Sequence, residues 1–223
     1  MKKFELTNEF IANRFGTKLF RIRALVEFGD VEAGELGGYV EKESNLGHDD
    51  NAWVYGNARV YGDALVYDNA RVYDNAWVYG DAQVSGDALV YDNARVYGNA
   101  RVCGDAQVSG DARVYGNAWV YGDAQVSGDA RVCGDARVCG NGDYAYAHGF
   151  GSVNRTTTFF RLKDGGVGVR CGCFYGTLAQ FRDKIRETHG ETKKAQEYLM
   201  LADLMELRFE EDENEVGNRK YVE

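Results

Sequence analysis

The residues whose types could carry chemistry are three histidines, five cysteines and a recurrent pairing of arginine with tyrosine. The histidines stand far apart, at His48, His148 and His189, and none occurs between Asp49 and Ala147. A general base must lie within hydrogen-bonding reach of the proton it removes, so a catalytic role for any of them depends on the segments flanking the middle of the chain. His189 directly precedes Gly190 and reads as the last turn of a helix, where an imidazolium suits the negative end of the helix dipole. The Cys171-Gly-Cys173 pair could join His148 or Cys139 around a metal, yet it supplies only two of the four ligands of a structural zinc site. In a strand both thiols would face one side, and the pair reads as small half-buried side chains of a hairpin. No catalytic residue, metal ligand or cofactor is assigned.

The elements that must position these groups are set by an internal repeat. From Asn51 to Gly140 the chain consists of fifteen consecutive hexads of the form [N/D]-A-x-V-[Y/S/C]-[G/D], without insertion or deletion. Within a hexad Ala and Val lie two apart and point to one side of a short strand, while the variable residue and the Tyr, Ser or Cys point to the other. The Gly-Asn, Gly-Asp or Asp-Asn pair that follows is turn chemistry, because these residues tolerate positive φ. Cys103, Cys133 and Cys139 occupy the Tyr/Ser position of the hexad. So short a strand gains stability only when coils stack and bury every Ala/Val pair.

These hexads resemble those of the left-handed parallel β-helix proteins, in which three hexads form one triangular coil. The resemblance implies the handedness and the eighteen-residue coil; one departure is that Val is most often followed here by Tyr, with glycine one place later. GELGGYVEKESNLGHDDNAWVYGNARVYGDA (Gly34 to Ala64) and FFRLKDGGVGVRCGCFYGTLAQFRDKIRETHG (Phe159 to Gly190) further resemble hexapeptide-repeat proteins of phages and prophages, which are often labelled transferases or polymer-forming proteins. Fold follows from such a resemblance more directly than function does. Acyltransferases of this family generally use a histidine base, acyl carriers lying along the coils, and often a loop thrown out between them. The fifteen hexads here contain neither histidine nor loop. The carbonic-anhydrase relatives need three zinc-binding histidines on the coils, also missing from this stretch.

With three hexads per coil, every third hexad falls on the same wall. The first wall carries Trp53/Tyr55, Arg71/Tyr73, Leu89/Tyr91, Gln107/Ser109 and Gln125/Ser127, fading from aromatic to small and polar. The second carries Arg59/Tyr61, Trp77/Tyr79, Arg95/Tyr97, Arg113/Tyr115 and Arg131/Cys133. The third carries Leu65/Tyr67, Gln83/Ser85, Arg101/Cys103, Trp119/Tyr121 and Arg137/Cys139. Stacked tyrosines under arginine stems extend a thin core. They also compose a flat aromatic, cationic strip of the residue types enriched at interface hot spots. The second wall, with its unbroken tyrosine ladder and its arginine column interrupted only by Trp77, is the candidate binding surface.

Flanking segments read as caps. Residues 17–26 alternate as a strand, and GELGGYV leads into the first coil. Tyr144, Phe150 and Val153 suggest a last imperfect coil; TTTFFRL and VGVRCGCF, joined by KDGG, read as a β-hairpin. Thr177 with Gln180 forms a capping box opening a helix with Leu178, Phe181 and Ile185 on one face. A second helix is expected from about Thr192 to Glu210, the pair covering the open end of the solenoid. The expected organisation is an N-terminal β cap (1–44), a hexapeptide β-helix (45–152), and a hairpin with a two-helix cap and acidic tail (153–223).

The chain has 223 residues, no proline, 28 glycines and a net charge of −9, which argues against general duplex nucleic-acid binding. Its N-terminus lacks the apolar stretch of a signal peptide, no run approaches a membrane span, and the odd cysteine count fits reduced thiols, so a cytoplasmic setting is expected. The expected function is binding without catalysis: self-association as a trimer or dimer, and capture of a partner protein or small anionic ligand. The phage resemblance adds sequestration of a host defence protein or nucleotide signal. The alternative expectation is an acyltransferase.

Overall fold

The computed structural model describes residues 2–151 and 155–210; Val153 and the acidic stretch after Glu210 lie outside them. Strands β1 (Phe4–Ala12), β2 (Lys18–Ala24) and β3 (Leu36–Val40) precede fifteen short strands, one per hexad. These fall on three walls, as the repeat requires. The first wall holds β4 (Trp53–Val54), β7 (Arg71–Val72), β10 (Leu89–Val90), β13 (Gln107–Val108) and β16 (Gln125–Val126). The second holds β5 (Arg59–Gly62), β8 (Trp77–Gly80), β11 (Arg95–Gly98), β14 (Arg113–Gly116) and β17 (Arg131–Val132). The third holds β6 (Leu65–Val66), β9 (Gln83–Val84), β12 (Arg101–Val102), β15 (Trp119–Val120) and β18 (Arg137–Val138). Each strand pairs in parallel with the one eighteen residues on, so that Val54, Val72 and Val90 stack on one wall. The protein is a parallel β-solenoid.

The core is what the alternation demands. Every Ala and Val of the fifteen hexads is fully buried, from Ala52 and Val54 to Ala136 and Val138. Each valine contributes roughly 1.5–3 kcal/mol, against an ordering entropy of about 1–2 kcal/mol for every backbone residue. A six-residue unit with one Ala and one Val therefore needs its outer ladders and corners as well. The corners supply hydrogen bonds between coils. Asp68, Asp74 and Asp92 stand in place of glycine at φ 57°, 57° and 58°. The Asp68 and Asp92 carboxylates accept the amides of Gly86 and Gly110 in the next coil, at 3.1 and 2.9 Å.

The solenoid begins earlier than Asn51. Tyr39 and Val40 pair with Arg59 and Val60, and Leu46 bridges to Val66, twenty residues apart rather than eighteen. A two-residue insertion near Asp50 hides this first, lengthened coil from a strict hexad reading. Gly38 takes the place of the repeat alanine because a Cβ there would lie 2.7 Å from the Ala58 carbonyl. Strands β1 and β2 then extend the second wall as an antiparallel hairpin, giving the eight-stranded order β1-β2-β3-β5-β8-β11-β14-β17. Strand β2 was expected from alternation; β1 was not.

The C-terminal end departs from expectation in two ways. Residues 144–150 do not form a further coil. They form β19 (Tyr144–Phe150), which pairs antiparallel with β20 (Arg155–Arg161), followed by β21 (Val167–Cys171) and β22 (Phe174–Thr177). Nor do the helices cover the last coil directly. Strand β20 does so: Phe160 enters the solenoid core, the Arg131 amide donates to Thr158 Oγ1 at 2.9 Å, and Lys163 N donates to the Asp135 carbonyl at 3.0 Å. The opposite face of β20 presents Phe159 to a second core with Val169, Phe181, Ile185, Tyr198 and Ala202. Helices α1 (Leu178–His189) and α2 (Lys193–Phe209) supply most of it. The Thr177/Gln180 capping box is present, and Gly190 at φ 56° ends α1. Among the described residues no helix is long and apolar enough to cross a membrane.

Candidate binding wall

The second wall differs from the others in backbone as well as in side chains. Its strands from β5 to β14 run four residues, RVYG or WVYG, where those of the other walls run two. The longer pairing carries the tyrosine into the ladder and holds its ring in register. Tyr61, Tyr79, Tyr97 and Tyr115 stack at centroid spacings of 5.0, 4.9 and 4.9 Å, with interplanar angles of 3°, 3° and 1°. Burial pushes all four phenols above their ordinary pKa, and nearby arginines oppose the shift without cancelling it. The column ends at the buried Cys133, whose thiol adds to the upward shift of Tyr115.

The adjacent column alternates cation with ring and then stops alternating. Arg21 lies over Tyr39 at 5.5 Å, and Arg59 and Arg95 lie over opposite faces of Trp77 at 5.1 and 4.8 Å. Beyond Trp77 the sequence places Arg95, Arg113 and Arg131 on neighbouring strands in direct register. Among the described residues no carboxylate forms an ion pair with Arg59, Arg95, Arg113 or Arg131. The strip also gains charge at both ends. Arg14, from the turn between β1 and β2, acts on Tyr61 and Tyr79, and Arg170 of β21 acts on Tyr97, Tyr115 and Cys133. The Nε atoms of Arg59 and Arg170 are buried with no hydrogen-bond partner among the described residues. Arg14 and Arg170 escaped sequence reading, because nothing local says that the hairpin turn and β21 converge on one wall.

The third wall repeats one motif in isolation, with Trp119 between Arg101 at 4.9 Å and Arg137 at 4.5 Å. On the first wall Trp53 is a correction. Although its position is an outward one in the repeat, it is fully buried beneath the N-terminal cap, edge-on to Phe4 at 6.1 Å and to Phe28 at 5.3 Å.

The histidines occupy separate surroundings. His48 stacks on Phe4 at 4.5 Å and accepts the Lys3 amide at 3.2 Å; burial lowers its pKa. His148 contacts Thr156 Oγ1 at 2.8 Å and lies 3.8 Å from Asp129, and His189 stacks on Tyr198 at 5.9 Å. Cys171 and Cys173 do not share a strand face. Gly172, at φ 59°, turns the chain between β21 and β22, leaving Cys173 exposed while Cys171 accepts from Thr157 Oγ1 at 3.2 Å. Among the described residues no group of three or more His, Cys, Asp or Glu side chains is placed to hold a metal.

The register, the three walls and the buried Ala/Val ladder define a repeat β-helix protein of the parallel β-solenoid class. The YdcK beta solenoid repeat model matches residues 52–67, 64–80, 82–95, 106–122 and 124–140, which lie within the hexads. No curated protein matches the chain.

Proposed function

We propose that this solenoid works by binding rather than catalysis, with the second wall as its principal contact surface for an anionic partner and for copies of itself. One observation carries the reading: Arg95, Arg113 and Arg131 stand in register beside a stacked tyrosine ladder, without ion-pair partners among the described residues. Like charges directly opposite on neighbouring strands are destabilising. Carboxylates of a second subunit, or phosphates of a ligand, would relieve that repulsion through charge-assisted hydrogen bonds. The resemblance to phage hexapeptide proteins extends the proposal to sequestration of a host protein or nucleotide signal in the cytoplasm.

Native mass spectrometry of protein purified from cells tests this, because it reports stoichiometry and retained ligand together. Tyr97→Ala combined with Arg113→Glu is expected to dissolve the oligomer or release the ligand. Trp119→Ala with Arg137→Glu, similar chemistry on the third wall, should leave both in place. Equal effects of the two pairs would overturn the assignment. So would an oligomer indifferent to the second wall but dissolved by Leu204→Glu, since Met200, Leu204 and Leu207 form an exposed apolar row on α2.

A further inference from the structure

The first wall, which fades from aromatic to polar, closes into a groove. Its tyrosine column starts as a stack, Tyr55 on Tyr73 at 4.5 Å, and continues to Tyr91. The next two coils carry Ser109 and Ser127 instead, so the space of two rings stays open. The far end is shut by Tyr144 and Tyr146 of β19 and by Arg208 of α2, leaving a groove of about 480 Å³. Its floor presents the carboxamides of Gln107 and Gln125 in register on neighbouring strands.

The lining selects a ligand chemistry. Among the described residues it contains no carboxylate and a single cation, Arg208, which already donates to the Asn141 carbonyl at 3.3 Å. A polyanion would find little here. An added peptide strand would find little either, because the edge amide of Gln125 is taken by Asn141 Oδ1 at 2.9 Å. The hydroxyls of Ser109 and Ser127 and the carboxamide of Gln125 make no hydrogen bond to the described residues. Available amides and hydroxyls between aromatic rings suit a ring with a polar rim and apolar faces. We propose that this groove binds a short, hydroxyl-rich saccharide. The repeat of Gln and Ser at the coil spacing of about 4.8 Å would offer successive sugar units equivalent groups.

The proposal concerns a different wall from the cationic surface, so each can fail alone. Saturation-transfer NMR on the full chain, with maltotetraose, cellotetraose, tetra-N-acetylchitotetraose and tetragalacturonate as probes, should show transfer to at least one of the three uncharged ones. Ser109→Tyr restores the residue that the same wall carries at Tyr55, Tyr73 and Tyr91, so the fold should accommodate it while the groove is filled. Transfer should vanish in that variant with melting unchanged or raised. Gln125→Ala should weaken binding about tenfold or more, the loss expected when a buried hydrogen bond goes unmade. Binding confined to tetragalacturonate and lost in Arg208→Gln would mark an anion site and overturn the proposal, since the lining offers a polyanion little. No transfer to any of the three uncharged probes, or transfer that survives Ser109→Tyr, would overturn the proposal.

Discussion

The Arg95 guanidinium lies 4.8 Å from the centre of the Trp77 ring, on the face opposite that taken by Arg59. The indole thus separates two cations that would otherwise be near neighbours in one column. Removing it should cost twice, through lost cation–π attraction and through renewed repulsion. Trp77→Ala is expected to destabilise the protein by about 2–4 kcal/mol, the upper part from lost packing. Part of the loss should be recovered at high salt, where exposed charges are screened. Urea unfolding at low and high ionic strength measures both components.

The tyrosine ladder makes stability fall at alkaline pH. Burial raises the pKa of Tyr61, Tyr79, Tyr97 and Tyr115 in the folded protein, while an unfolded tyrosine ionises near 10. The folded state therefore holds these protons when the unfolded state has begun to lose them. Their stabilisation is complete below about pH 10 and declines above it. An absorbance titration should show these phenols ionising later than free tyrosine, and Tyr97→Phe should flatten the alkaline loss of stability.

Gly98 sits in the left-handed region at φ 70°, and a Cβ there would lie 3.2 Å from the Gly116 amide nitrogen. The same column contains Gly62 and Gly80 at φ 72° and 73°. Gly98→Ala should cost about 1–2 kcal/mol from backbone conformation alone. Asp should be better tolerated than Ala, since Asp68, Asp74 and Asp92 adopt this conformation at other corners. Thermal melting of the two variants side by side checks the order.

Phe159 and Phe160 are adjacent yet belong to different cores. Each Phe→Ala change should cost about 3–5 kcal/mol. Hydrogen exchange should separate them. Phe159→Ala is expected to expose amides of α1 and α2 first, and Phe160→Ala those of the last coil around Val132 and Val138.

Much of this was legible because a repeat multiplies its own signal. Fifteen hexads of one pattern leave little choice about which side of each strand is buried, and the observed register follows the alternation of Ala and Val without exception. The capping box at Thr177 and the terminating Gly190 were equally local, since a cap is satisfied within one turn of its own helix. The sorting of outward residues into walls was legible too, because position modulo eighteen assigns each to a wall.

What sequence could not decide lies where distant segments meet. Trp53 is an outward residue by position, but the N-terminal cap folds over it and makes it core. Strand β19 looks like a decaying hexad, yet its antiparallel pairing with β20 supplies more backbone hydrogen bonds than an isolated final coil could. The emptiness left by Ser109 and Ser127 is written in the repeat; that Tyr144, Tyr146 and Arg208 close it into a groove is not. The physical reason is the same in each case. Alternation and turn chemistry act between residues a few positions apart and are encoded where they act. A wall's end, a cap's reach and a groove's closure depend on which remote surfaces can be buried together, and only the folded chain brings those surfaces into contact.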